Sequence, residues 1–442
     1  MRLIENAKAV YTVTSQVGFE ALIWGKPVRC FGMPFYAGWG LTRDELPPPA
    51  RRHPVPVNQL VHGALIRYAR YIDPERKERC EIETVLDHLG LQRRMLQSAP
   101  KKVFACGFSR WKRPVLRRFL AGSDIRFVRD ARDISADATV AVWGNAQIVG
   151  LSPAARILRI EDGFLRSAGL GADLVTPLSW VVDDIGIYYD SGRPSRLELI
   201  LQDQIWTDDE LARAARLRQA IRDAGISKYN LASRPWRRPD GCVRVILVPG
   251  QVENDASLRY GAPGICSNIG LLQAVRTANP DAFIVYKPHP DVASGLRRAG
   301  SRDADALTLA DSVVTDADAV SMLPHVDEVH TLTSLLGFEA LLRDVPVTCY
   351  GQPFYAGWGL TTDVMPIPRR SRRISVDELV LGALLTYPRY VSRMTQSFTT
   401  PERTVEELIA WRSAGGSQIP LLRRGLRVVL RAWAQSRLRK NG

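Results

Sequence analysis

The stretch Val10–Tyr71 returns without a gap as Val329–Tyr390, with just over half of the aligned residues identical and FYAGWGLT unchanged in both copies. A repeat of this length indicates a duplicated folded module, whereas solenoid units recur every ~20 to 50 residues. If the repeated stretch closes each module, one complete module runs from about Lys101 to Trp411. The first ninety or so residues then form the closing part of another module, whose opening part is expected to be absent from the chain.

A chain of 442 residues with 45% apolar content can bury large cores. Its six cysteines, at positions 30, 80, 106, 242, 266 and 349, form no C-x-x-C pair and have no histidine at metal-ligand spacing. That pattern points to a reducing compartment and away from a structural zinc. The segment MRLIENAKAV has no apolar h-region of signal-peptide form. No apolar run approaches the roughly 18 residues needed to span a bilayer. A formal charge of +14 calls for an anionic partner, such as an anionic lipid surface or a negatively charged sugar nucleotide. Nucleic acid is set aside, because no recognisable reading module occurs and the Trp and Tyr residues sit in Gly-rich loops.

Short apolar strands are expected at KKVFA (101–105), IRFV (125–128), TVAVW (139–143) and RILRI (156–160), with helical or turn material between them. Strands alternating with crossovers predict a parallel α/β sheet. The segment Asp208 to Gly225 reads as a charged amphipathic helix. After the polar passage SRPWRRPDG (233–241), strands resume at CVRVILVPG and AFIVYKPHP, which predicts two α/β lobes with a cleft between them. Beyond GGSQ (415–418), a basic stretch with Leu422, Leu426, Val429, Leu430 and Trp433 at helical spacing fits a helix on an anionic membrane surface. A solvated tail, or a helix docked on its own protein, is the alternative.

Four clusters can carry chemistry. In RIEDGFLRSAGLG (159–171) a strand ends on Glu161 and Asp162, where α/β folds place their ligands, with Arg166 close behind. Asp-Gly is also an ordinary turn signal. In VPGQVENDAS (248–257) a strand runs into Gly250, and Gln251, Glu253, Asn254, Asp255 and Ser257 follow at once, polar side chains that can line a ligand. Glycine there permits close approach of a ligand, but no dinucleotide or P-loop fingerprint is present. In VYKPHPD (285–291) Lys287 and His289 alternate onto one face and together suit a phosphate. In TLTSLLGFEALL (331–342) Ser334 stands at a helix start, which attracts phosphate, and Glu339 lies about one turn further in. The following loop, GQPFYAGWGLT, offers Tyr355 and Trp358 either as packing residues or as a rigid ligand wall.

In content and order, EDGFLRS, QVENDAS, KPHP and the TSLLGFEAL…GQPFYAGWGLT block resemble the bacterial capsule polysaccharide biosynthesis and export family called KpsC/LipB, over nearly the whole chain to about Trp411. The resemblance implies an α/β fold: a GT-B-like module of two Rossmann-like lobes, preceded by the carboxy-terminal fragment of a duplicated module. It implies a glycosyltransferase that uses CMP-Kdo, with retention at the anomeric carbon, to extend a β-linked Kdo linker on a lyso-phosphatidylglycerol acceptor. By the family pattern Asp162 is the catalytic carboxylate; the chemistry of the pair, apart from the resemblance, suits Glu161 either to orient it or to act as base toward the acceptor. Lys287 and His289 are then phosphate contacts and Ser334 and Glu339 nucleotide contacts, with Arg166, Gln251, Glu253 and Asn254 also assigned to the donor.

The expected organisation is 1–98 as the module fragment, 99–235 as the first lobe, 236–411 as the nucleotide-binding lobe with closing helices, and 412–442 as the basic tail. No metal or other cofactor is expected. The expected setting is the cytoplasmic face of the inner membrane, with the capsule export machinery as a further partner. The first copy keeps Ser15, Gly18, Glu20 and PFYAGWG, yet no EDG or KPHP precedes residue 100, so only the second module is expected to be active. Two other readings stay open: a transferase for another nucleotide-activated acidic sugar, and an inactive membrane-surface scaffold.

Overall fold

In the computed structural model, which describes residues 2–168, 175–228, 230, 236–289 and 303–414, the first repeat copy folds around a small parallel sheet. Its strands are β1 (Val10–Thr12), β2 (Val28–Cys30) and β3 (Arg43–Asp44), with the helix Val17–Ile23 between the first two. Phe19, Ala21, Leu22, Val28, Cys30 and Tyr36 form its core. A two-stranded ribbon follows, β4 (Tyr71–Ile72) with β5 (Arg79–Cys80). The chain divides into two compact units, Met1–Leu91 and Gln92–Gly442.

The second unit holds two large sheets. One begins with β6 (Lys102–Cys106), β7 (Asp124–Val128), β8 (Thr139–Trp143) and β9 (Arg156–Asp162), which pair in parallel. A parallel neighbour needs a crossover connection, and β10 (Ser179–Asp183) instead turns back along β9 in antiparallel register. The first lobe is therefore a mixed sheet, which corrects the expectation of a parallel one.

The other sheet contains β11 (Val245–Pro249), β12 (Phe283–Lys287), β13 (Ser312–Val313), β14 (Glu328–Thr331), β15 (Val347–Cys349) and β16 (Thr362–Asp363). It is parallel throughout, in the order β13-β12-β11-β14-β15-β16. All five residues of β11 are buried, as a central strand covered on both faces requires. The chain then crosses back: β17 (Pro388–Val391) pairs with β10, and β18 (Phe398–Thr399) with β17, completing the first lobe's sheet of seven strands. The stretch 236–411, expected as the nucleotide-binding lobe with closing helices, thus also gives two strands to the first lobe's sheet. From residue 415 the expected basic tail lies outside the described residues.

The amphipathic helix Asp208–Asp223 starts at a capping box, Thr207 with Glu210, and buries Ala214, Leu217 and Ile221. One apolar core runs through both lobes: Phe164, Val181 and Ile187 pack in the same cluster as Val245, Leu247, Phe338 and Phe354. No described helix is long and apolar enough to cross a membrane.

Candidate active site

The carboxyl ends of β9, β11, β12 and β14 meet at a cavity of about 360 Å³. Glu161 lines it from the first lobe, and Gln251, Lys287, His289, Ser334 and Glu339 line it from the second. These are six of the ten residues expected at a site. The remaining four, Asp162, Arg166, Glu253 and Asn254, are not on its wall.

Glu161 and Asp162 are the last two residues of β9, and alternation sends them in different directions. Asp162 pairs with Trp180 across the ladder and accepts its indole N–H at 3.1 Å. Its other oxygen takes the Arg166 Nε–H at 2.6 Å, and Arg166 is itself 3% exposed. Burial alone would raise the Asp162 carboxyl, but the Arg166 and Lys228 charges hold it below the usual range, so it is ionised at neutral pH. Arg166 is therefore the partner of Asp162 rather than a cavity residue. Burial, and after it the Asp162 charge, pushes Glu161 up to about 7. Two adjacent carboxyls with separated pKa values are suited to different tasks.

The second lobe supplies cations and helix starts. Lys287 ends β12, is 6% exposed, and donates to the Thr315 carbonyl at 3.2 Å. His289 follows after the stiffening Pro288. Ser334 caps the helix Leu335–Leu341 through Leu336 N–H, at 3.2 Å. Glu339 accepts the Lys228 backbone N–H at 2.8 Å, and burial pushes it up to about 7.

The QVEN loop works mainly as scaffold. Gln251 donates to the Thr333 hydroxyl at 3.0 Å and accepts the Thr333 N–H at 2.9 Å, tying the end of β11 to the start of the Ser334-capped helix. Glu253 holds the Asn268 N–H at 2.9 Å. Sequence reading overlooked Tyr188, Tyr189, Lys228 and Asp318, and placed Asp255 and Ser257 only in the loop after β11; all six are on the cavity wall. Asp255 and Asp318 had a readable signal, since each caps a short helix. Lys228 had none.

The repeated aromatic loop is packing. Tyr355 and Trp358 are fully buried; Tyr355 O–H donates to the Ser334 carbonyl, and Trp358 Nε1–H to the Phe354 carbonyl at 2.8 Å. Tyr36 and Trp39 make the same bonds to Ser15 and Phe35. Pro353 and Phe354 face the cavity in the second copy.

The family model described as "Capsule polysaccharide biosynthesis protein" matches residues 1–71, 143–236 and 210–398. The chain belongs to that family. It is 44% identical over 424 residues to the capsule polysaccharide modification protein LipA of Neisseria meningitidis serogroup A, covering 92% of this chain and 60% of LipA. It therefore spans less than two thirds of that relative's length. It is 40% identical over 302 residues to the lipopolysaccharide-processing protein LpsZ of Rhizobium meliloti, covering 64% of this chain and 69% of LpsZ.

Among solved structures it resembles a Thermosulfurimonas dismutans KpsC described as a beta Kdo 2,7 transferase, with 39% identity and a TM-score of 0.61. The match covers 70% of this chain and 99% of that one. A KpsC beta Kdo 2,4 transferase from the same organism matches at 34% identity and a TM-score of 0.60, over 69% and 97% of the two chains. The two Rossmann-like lobes of this family member form a GT-B-like module.

Proposed function

We propose that this capsule-family protein is a retaining β-Kdo glycosyltransferase, which uses CMP-Kdo to extend a Kdo linker on a lyso-phosphatidylglycerol acceptor. The observation that carries the reading is the joint presence, on one cavity, of Glu161 at the end of β9 and of Lys287, His289 and Ser334 on the facing lobe. The similarity to two KpsC structures, both described as beta Kdo transferases, supports the choice of sugar.

On this reading the CMP phosphate lies near Lys287 and His289, with the Ser334-capped helix start beyond. Cationic and N–H groups then stabilise charge on the leaving phosphate as the glycosidic C–O bond breaks. Asp162, ionised beside Arg166, attacks the anomeric carbon and forms a covalent glycosyl ester. Its approach requires the side chain to leave or share the Arg166 contact. In the second half, Glu161 takes the proton of the acceptor hydroxyl as that oxygen displaces Asp162, and two inversions restore the configuration.

Residues 1–98 are, in this account, the closing part of a second module without its own carboxylate. The protein works at the cytoplasmic face of the inner membrane beside the capsule export machinery. The test is incubation of the purified chain with CMP-Kdo and a synthetic lipid bearing one Kdo, followed by mass and linkage analysis. Addition of one or more β-linked Kdo residues is the expected outcome, and recovery of unmodified acceptor with intact donor would refute it.

A further inference from the structure

Lys112 opens the helix Lys112–Phe119, just past the loop that follows β6. Its ammonium stands over the Trp143 ring, 2.9 Å from the centroid, and Trp143 is the last residue of β8. Trp143 meets Trp180 edge-on at 5.3 Å, and Trp180 holds Asp162 through its indole N–H. The ammonium thus belongs to the first lobe's strand ends, within reach of the Glu161 and Asp162 charges and off the wall of the 360 Å³ cavity. Among the described residues no hydrogen bond or ion pair engages it; the Trp143 face is its direct contact, and the Glu161 and Asp162 charges act on it from further off. Burial brings Lys112 down to about 8, against the pull of the Glu161 and Asp162 charges.

A half-buried ammonium without hydrogen bonds is costly, and an anionic ligand offsets that cost. The proposed reaction has such a need. In a 2-keto-acid sugar the carboxylate is bonded to the anomeric carbon, so an ionised Asp162 must approach a carbon that already carries a negative group. Two like charges at that distance repel strongly in a low-dielectric cleft. Arg166 is occupied by Asp162 itself, Lys287 lies on the other lobe, and the Lys228 charge on the cavity wall already acts on Asp162. A cation beside the carboxylate pair on the first lobe resolves the conflict.

We propose that Lys112, held on the face of Trp143, forms a subsite for a sugar carboxylate. The proposal rests on the acidic-sugar transferase reading, and both donor and acceptor sugars carry the group it recognises.

The test uses Lys112→Gln and Lys112→Arg in the full chain, with three readouts: affinity for CMP-Kdo relative to CMP, hydrolysis of CMP-Kdo without acceptor, and transfer with KM resolved for each reactant. Lys112→Gln is expected to lower kcat/KM by about 10- to 100-fold, the span of one charge-assisted hydrogen bond, with CMP affinity and melting temperature unchanged. Lys112→Arg should recover part of the loss. A deficit in CMP-Kdo affinity or hydrolysis assigns the donor carboxylate, and a deficit confined to acceptor KM assigns the acceptor's; either supports the subsite. Transfer within about threefold of wild type, or an equal loss of CMP affinity, would overturn it. A wild-type chain that binds CMP-Kdo but transfers nothing faults the transferase reading, and the subsite is then judged on the binding difference alone. Absence of CMP-Kdo binding overturns both.

Discussion

At the scale of single residues, Glu161 and Asp162 are neighbours in the chain that sit in opposed environments. Asp162 is ion-paired and held low, while Glu161 faces the cavity and is pushed up to about 7. Asp162→Ala should abolish transfer and leave CMP-Kdo binding within a few-fold of wild type, measured by turnover and titration calorimetry. Equal loss of both would mark Asp162 as a structural strand end. If Glu161 accepts the acceptor proton, turnover should rise as pH passes through about 7 and Glu161 ionises. Glu161→Gln should flatten that limb, and an unchanged profile would remove Glu161 from the proton transfer. His289→Ala should weaken CMP affinity by about 10-fold, the cost of one charged hydrogen bond. The sequence made EDG conspicuous, because a strand ran straight into two carboxylates. It could not say which of the two lines the cavity, since that depends on the Trp180 pairing contributed by β10. Lys112 and Lys228 were invisible, for each enters through a fold-level approach of a loop and not through a motif.

At the scale of elements, the repeated loop is a self-bonded unit made twice. In each copy the two GWG glycines have positive φ, 77° and 75° at Gly38 and Gly40, and 84° and 79° at Gly357 and Gly359. Gly38 and Gly357 donate their N–H groups to Asp44 and Asp363. An arginine fastens each loop: Arg370 donates to the Pro353 and Ala356 carbonyls, whereas the matching bonds in the first copy come from Arg52, one position beyond the aligned Arg51. Conserved geometry thus survives a shift that simple alignment would miss. A Cβ at Gly337 would collide with the Tyr355 hydroxyl. Gly337→Ala should cost about 1 to 3 kcal/mol in urea unfolding by displacing that ring, and a neutral result would show that the loop relaxes freely. Both copies also contain a π-helical turn, His62–Tyr68 and Leu381–Thr386, which no periodicity in the sequence signalled. Glu339 gives a pH test. Its carboxyl is neutral in the fold up to about 7 and ionises sooner when unfolded. Its penalty is therefore nearly absent at pH 4, grows as pH rises from about 4.5 towards 7, and is fully developed above that. Glu339→Gln should stabilise the protein at pH 8 by roughly 1 to 3 kcal/mol and do little at pH 4.

At the scale of the whole molecule, the duplication was legible from the repeat itself, and the two-lobed α/β design from β6 to β9, β11 and β12, which are short, mainly apolar runs ending in polar or Gly-rich loops. The mixed first sheet was not. Its last two strands come from beyond residue 387, and a return of that distance leaves no local mark. The two copies differ in company: β14 is hydrogen-bonded to β11 as well as β15, while β1 pairs only with β2 among the described residues. The second copy shares a cavity with the β9 carboxylate Glu161 and with Lys287 and His289. Glu20→Ala should accordingly leave turnover unchanged, whereas Glu339→Ala should reduce it, and a comparable loss from both would assign function to the first copy. The central claim is that one cavity, closed by the end of β9 and the second repeat copy, transfers an acidic sugar. Its most direct test is mass analysis of a Kdo-bearing lipid acceptor after incubation with CMP-Kdo and either wild-type protein or Asp162→Ala. The expected result is addition of β-linked Kdo by the wild type and none by the variant. Kdo addition of equal extent by both, or by neither, would contradict it.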